Sequence, residues 1–178
     1  MKLLLHICCG PCSLYVIDCL RTEHEFVPEG TAITGLFYNP NIHPYDELMR
    51  RAGSAAKAAE YKGLPLVTFL DYEPPPWISY TGEKQARCAN CYRARFEFAA
   101  KYAAQHGYTH FTSSLFVSPY QDHELMKAEA LRAANRNGIE FLDGPDFTKG
   151  YREGQAQAKE LGLYRQKYCG CIRSLKNE

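Results

Sequence analysis

The chain has 178 residues, of which 46 % are apolar and 23 % charged, with a formal net charge of +1. That length suits one domain with a full core that needs no disulfides, and the near-zero charge excludes a surface built as a whole to attract polyanions. No apolar run approaches membrane-spanning length, and Met1 to Ile7, broken by His6, is too short for a secretory signal; the protein is therefore expected in the cytoplasm, with reduced thiols.

Lys2 to Ile7 (KLLLHI) reads as a short buried strand. The turn Cys8-Cys9-Gly10-Pro11-Cys12 follows, with Ser13 as the expected cap of a helix over LYVIDCLRTE. Ile33 to Tyr38 reads as a second strand, and Asn39-Pro40-Asn41-Ile42-His43-Pro44 as a loop, because two prolines interrupt any ladder. A helix is expected from about Tyr45 to Lys62, stopped at Gly63, then a third strand over Leu64 to Leu70 and a break at Pro74-Pro75-Pro76. Cys88 to Gln105 has helical character, closed by Gly107. His110 to Leu115 is the fourth strand, Asp122 to Arg136 a helix and Ile139 to Leu142 the fifth strand.

Strands alternating with helices predict an α/β fold: a Rossmann-like three-layer sandwich with a mainly parallel sheet. The expectation is one domain over residues 1–178, with a short-helical, irregular, cysteine-containing tail from about 147 to 178. Ligands in such folds bind at the carboxyl ends of the strands. That places CCGPC, NPNIHP and SLFVSPYQD on one edge.

Seven of the eight cysteines fall in three clusters: Cys8, Cys9 and Cys12; Cys88 and Cys91; Cys169 and Cys171. Paired thiols in a reducing compartment point to metal or redox chemistry rather than structural staples. The Cys88–Cys91 spacing lets two thiolates grip one metal or one cluster, and a structural zinc knuckle uses the same spacing. A nearby helix N-terminus, with Arg87 and Arg93, is expected to favour thiolate there. Cys8 and Cys9 are adjacent, so they converge only if the backbone leaves regular strand geometry; Gly10 and Pro11 supply that irregularity. A cubane with several iron corners accepts neighbouring ligands more easily than a single tetrahedral ion. A pair of buried apolar cysteines is the alternative. Cys12 reads as a third ligand or as a thiol near the substrate, and Cys19 as core. A disulfide across Cys169-Gly170-Cys171 closes a small, strained, easily reduced ring, so this dithiol can cycle and pass two electrons; two more metal ligands are the alternative.

Among the histidines, His6 reads as a core residue in a strand and His43 as the better candidate for proton transfer. Asp122 is accounted for by helix capping, and Asp146 and Lys149 lie in a turn. From Lys149 to Glu178 there are seven Lys/Arg against three Asp/Glu, a local balance of +4. With Tyr151, Tyr164 and Tyr168 this stretch can contact phosphates and stack on bases, although a solvated surface is the commoner role. No GxGxxG turn, GxxxxGK(S/T) loop or HExxH helix occurs, and CCGPCS stands where an SGGxDS-like pyrophosphatase loop would be. Nicotinamide binding and nucleotide hydrolysis are unsupported.

The segments HICCGPCS, FYNPNIHPYDELMRR, RCANCYRARFEFAA, FTSSLFVSPYQD and YRQKYCGC, in this order from about Leu3 to Ser174, resemble the QueH-type epoxyqueuosine reductases. The resemblance implies a fold related to the adenine-nucleotide α-hydrolase-like (HUP) proteins. It also implies a cobalamin-independent oxidoreductase of the last step of queuosine biosynthesis, which reduces epoxyqueuosine to queuosine at the wobble position of tRNA. By the same resemblance Cys8, Cys9, Cys88 and Cys91 would hold a 4Fe-4S cluster, and Cys169 and Cys171 would form a redox-active disulfide. An additional iron would sit near the cluster, with Cys12 and a nearby acid as candidate ligands. The implied partners are tRNA carrying epoxyqueuosine and an electron donor that the sequence does not identify. Two positions depart from the family pattern: Gly10, where alanine is commoner and the change looks harmless, and Thr148, where a basic residue is common. Rival readings are a zinc-stabilised RNA-binding module, a thiol–disulfide oxidoreductase acting through CGC, and a tRNA-thiolating cluster enzyme. The last would need ATP, which the missing loop argues against.

Overall fold

The structure, a computed structural model, describes residues 1–175; the last three residues of the basic tail lie outside the described residues. Strands β1 (Lys2–Ile7), β2 (Ala32–Tyr38), β3 (Leu66–Phe69), β4 (His110–Ser113) and β5 (Glu140–Phe141) form one all-parallel sheet in the order β3-β2-β1-β4-β5. Leu3, Leu4, Leu5 and Ile7 of β1 are fully buried. A central parallel strand is covered on both faces, which is why KLLLHI is a nearly unbroken apolar run. The helices are α1 (Gly10–Thr22), α2 (Tyr45–Tyr61), the short α3 (Pro75–Ile78), α4 (Lys84–Gln105), α5 (His123–Asn137) and α6 (Tyr151–Glu160). α1 packs against α2 and α6, and α4 against α5. Two helical layers follow from right-handed crossovers when the strand order runs outward in both directions from β1. The order reverses between β1 and β4, and a crevice opens there beyond the carboxyl ends of the strands. Among the described residues no helix is long and apolar enough to cross a membrane.

Element boundaries differ from the sequence reading in three places that matter for function. α1 begins at Gly10, with Cys9 as its cap, three residues before the expected cap Ser13. Pro11 fits because amides of the first helical turn have no intrahelical partner, and the Ser13 hydroxyl instead donates to the Gly10 carbonyl at 2.8 Å. α4 begins at Lys84, so Cys88 and Cys91 lie beyond its first turn. β4 stops at Ser113, and Ser114–Val117 forms a 3-10 turn whose Leu115 amide donates to the Ser113 hydroxyl at 3.2 Å. Asp122 caps α5 as expected, its Oδ1 accepting the Leu125 amide at 3.0 Å. The turn at Asp146 is also as read, its carboxylate accepting the Thr148 amide at 3.0 Å.

At Gly10 the backbone of α1 lies close against Ser54 of α2. A Cβ at this position would lie 2.4 Å from both the carbonyl and the hydroxyl oxygen of Ser54. Alanine is therefore not a harmless exchange in this chain. Gly10→Ala is expected to push the two helices apart and lower stability by about 1–3 kcal/mol, the usual cost of overpacking. Thermal denaturation measures it, and an unchanged melting temperature would contradict this packing.

Candidate metal centre and its cavity

The first cysteine cluster sits where β1 gives way to α1. Cys9 keeps extended backbone (φ −172°, ψ 165°) while the chain bends at Cys8. The immediate start of α1 then returns Cys12 to the same spot one turn later. The sulfurs of Cys8, Cys9 and Cys12 all lie within 4.8 Å of one another, with Cys8 and Cys9 3.7 Å apart. All three residues are buried. The Ser114 hydroxyl accepts the Cys8 amide at 3.2 Å and lies 3.5 Å from its sulfur, tying the turn to the end of β4. The Cys12 and Cys9 thiols, turned toward Cys8, hold the Cys8 thiol well below its ordinary range. Burial pushes Cys9 up, and the contact with Cys8 pushes Cys12 up. Within the cluster the thiolate form is thus favoured at Cys8 over its two neighbours.

Cys88 and Cys91 are three residues apart on α4 and so share a face. Both border a cavity of about 1000 Å³ that Cys8, Cys12, Cys169 and Cys171 also line. Thiols from all three clusters therefore face one space. Among the described residues only Cys8, Cys9 and Cys12 are drawn into a compact triad; Cys88 and Cys91 face the cavity without joining it. The expected thiolate bias at Cys88 and Cys91 is not present. Both thiols are raised by burial, Cys91 to about 11. They lie past the first turn of α4, where the terminal dipole has faded. Arg93 points away from them, donating to both carboxylate oxygens of Glu129 on α5 at 2.9 and 3.0 Å.

Arg95 takes the place expected of Arg93. It is 3 % exposed, and its guanidinium donates to the Cys91 carbonyl at 3.1 Å and the Cys91 sulfur at 2.9 Å. It has no carboxylate partner among the described residues. A buried cation without a carboxylate requires another anion beside it. Thiolate ligands of a metal centre supply that charge, so the donor set fits an iron–sulfur cluster or another thiolate-bound metal. The helical spacing 88, 91, 95 was the signal in the sequence that could have singled out Arg95.

A second buried arginine holds the CGC segment. Arg51 Nε pairs with Glu47 at 2.7 Å, and its other nitrogens donate to the carbonyls of Tyr168 at 2.8 Å and Cys169 at 3.2 Å. Gly170 has φ +100°, and a Cβ there would lie 2.9 Å from Ile42 and 3.2 Å from Arg51. Its carbonyl accepts the His43 amide at 2.8 Å, and the Tyr168 hydroxyl donates to the His43 carbonyl. His43 thus anchors the CGC segment through its backbone, while its Nδ1 pairs with the Tyr72 hydroxyl. It is not among the residues bordering the cavity. His6 is fully buried, with Nε2 donating to the Tyr38 carbonyl at 3.0 Å and Nδ1 accepting from Ser113 at 2.8 Å. Burial lowers its pKa to about 4, so it is a neutral core histidine. Cys19 is likewise core, buried in α1.

The cavity wall is basic although the chain is nearly neutral. It carries five Lys/Arg (Arg51, Lys84, Arg87, Arg95 and Lys167) against Glu83 and Asp122. Aromatic side chains are interleaved with them, among them Trp77, Tyr151 and the 80 % exposed Tyr120.

A family model described as epoxyqueuosine reductase QueH matches residues 3–177. The epoxyqueuosine reductase QueH of Dehalococcoides mccartyi is 36 % identical over 174 residues, covering 97 % of this chain and 92 % of its own length. That of Haemophilus influenzae is 34 % identical over 187 residues, covering 99 % of this chain and 72 % of its own. Among solved structures, the U34-tRNA thiolase NcsA of Methanococcus maripaludis, with its 4Fe-4S cluster, is similar at a TM-score of 0.55 and 16 % identity. That similarity covers 99 % of this chain but 62 % of the thiolase chain, and it establishes the shared α/β fold.

Proposed function

This chain belongs to the QueH epoxyqueuosine reductase family, and on that premise we propose that it reduces epoxyqueuosine to queuosine at the wobble position of tRNA. The observation that supports this reading best is the single cavity bordered by thiols of all three cysteine clusters. In this reading Cys8, Cys9, Cys88 and Cys91 hold a 4Fe-4S cluster and Cys12 contributes to an additional iron. When bound, these groups supply one-electron transfer and a Lewis acid for the epoxide oxygen.

The reaction breaks both C–O bonds of the epoxide, forms a carbon–carbon double bond and releases the oxygen as water. It consumes two electrons and two protons. The dithiol of Cys169 and Cys171 matches that stoichiometry: two S–H bonds break, one S–S bond forms, and two electrons and two protons are released. An external donor then reduces the disulfide for the next cycle. Arg51 and Gly170 hold this dithiol segment against the cavity. Arg95, buried without a carboxylate partner among the described residues, offsets negative charge that thiolate ligands bring into a buried site. A reduced thiol set of this kind belongs in the cytoplasm.

The basic, aromatic wall suits an RNA loop whose phosphates and unstacked bases are both contacted. Tyr120 is the most exposed ring there and is braced edge-on by Tyr151 at 5.7 Å between centroids. Tyr120→Ala is expected to raise KM for tRNA about tenfold with kcat nearly unchanged, since stacking on one base is worth about 1–3 kcal/mol. Tyr120→Phe should restore the wild-type value, and a KM unaffected by either change would remove Tyr120 from the RNA surface.

The direct test is incubation of anaerobically prepared holoprotein with epoxyqueuosine-bearing tRNA and a chemical reductant, followed by mass analysis of the nucleosides. Loss of one oxygen from the modified nucleoside is expected; recovery of the epoxide untouched would refute the reading.

A further inference from the structure

The loop leaving β2 carries two buried asparagines, and only one of them has a structural task. Asn39 donates through Nδ2 to the Ile7 carbonyl at 3.0 Å and so joins β2 to the end of β1. Asn41 is 2 % exposed and borders the cavity, yet neither its Oδ1 nor its Nδ2 has a hydrogen-bond partner. Leaving one buried donor or acceptor unmatched costs about 1–3 kcal/mol, and native proteins leave few of them. Both amide atoms are almost closed to solvent, so matching them from the cavity requires the Asn41 side chain to turn into it on binding. Gln166 borders the same cavity. Its Nε2 donates to the Cys9 sulfur at 2.8 Å, while its Oε1 is buried and unpaired. On this wall Arg87 Nε is also buried and unpaired; beside it, Asn41 and Gln166 form a neutral set of one unused donor group and two unused acceptors.

That set selects among ligand chemistries. A phosphate wants donors only, and a hard cation wants acceptors only. A hydroxyl both donates and accepts, and two neighbouring hydroxyls use a mixed set of neutral amide atoms. The five-membered ring that bears the epoxide in epoxyqueuosine also bears a pair of adjacent hydroxyls. We propose that Asn41, assisted by Gln166 Oε1, recognises the hydroxylated ring of the substrate and thereby sets the epoxide beside the cysteine cluster. This assignment rests on the reductase reading and adds the residue that distinguishes the modified base from an ordinary guanine. A site built to hydrogen-bond a hydroxyl discriminates strongly against a ligand lacking it, because its own polar groups are then left unmatched.

The test is binding without turnover. Anticodon stem-loops carrying either the product queuosine or guanosine at the wobble position are titrated into holoprotein. Wild type should prefer the queuosine stem-loop. Asn41→Ala and the similarly sized Asn41→Leu should each lower that preference about tenfold, the scale of one hydrogen bond to a buried group. Both variants should bind the guanosine stem-loop as wild type does and keep its metal content. Neither should lose thermal stability when unligated, because the amide they delete has no partner in the protein. A preference retained in both variants would overturn the proposal, as would equal loss of both stem-loops or a lowered melting temperature, which would make Asn41 structural. Wild-type protein that neither reduces the epoxide nor prefers queuosine would overturn the reductase reading together with this assignment. Wild type that does both while the variants match it overturns the assignment alone.

Discussion

Cys88→Ala is expected to yield a colourless protein after anaerobic purification, with reductase activity at least about a thousandfold lower, equivalent to about 4 kcal/mol of barrier. The proposed cause is loss of one of the four thiolates assigned to the cluster, a centre that no side chain can replace, since amino acids do not supply electrons at the needed potential. The fold itself should survive. Cys88 is half-buried within α4, and alanine is the better helix former. The helix content and melting temperature of the metal-free protein should therefore match metal-free wild type. This separates lost metal from lost structure. A variant that kept both colour and turnover would take Cys88 out of the ligand set.

Cys169→Ser gives the complementary result. The protein should keep its iron, sulfide and visible spectrum but lose multiple turnover, with a steady-state rate at least about a hundredfold lower. Cys169 is exposed, its sulfur 3.2 Å from the Ser174 hydroxyl, so serine is accommodated without repacking. What serine cannot do is form the proposed S–S bond with Cys171, whose formation would release two electrons and two protons. A spectroscopic titration and a steady-state assay on the same preparation check both halves. If the metal disappears along with the activity, Cys169 is a ligand and not half of a relay.

Much of this architecture was legible in the sequence because the signals are local. KLLLHI is nearly unbroken apolar sequence since β1 is covered on both faces, and Asp122 and Gly138 delimit α5 by capping and by a left-handed φ of 65°. Gly10 and Pro11 suggest a turn and so hide the start of α1, although proline is also at home in a helix's first turn. The start of α4 was missed for the opposite reason: Glu83 provides no side-chain cap, so nothing local announces a helix at Lys84. The three cysteine clusters were visible at once, and the fold turns their thiols toward one cavity. Their electrostatic surroundings were not visible. Arg51 reaches carbonyls more than a hundred residues away at Tyr168 and Cys169, and no pattern in either segment encodes that contact. Asn41 was overshadowed by His43, the more reactive residue of the same loop. Burial and partners reverse that ranking: His43 is engaged by Tyr72 and the CGC backbone, while Asn41 keeps both amide atoms unpaired at the cavity wall.

In the proposed enzyme, thiols from distant stretches gather around iron. The metal and sulfide content of wild-type protein purified without oxygen, read together with its visible spectrum, tests this most directly. About five iron and four acid-labile sulfide per chain are expected, with the broad visible absorbance of a cubane cluster. Zinc as the sole metal in a colourless protein would contradict it and would favour a metal-stabilised RNA-binding module.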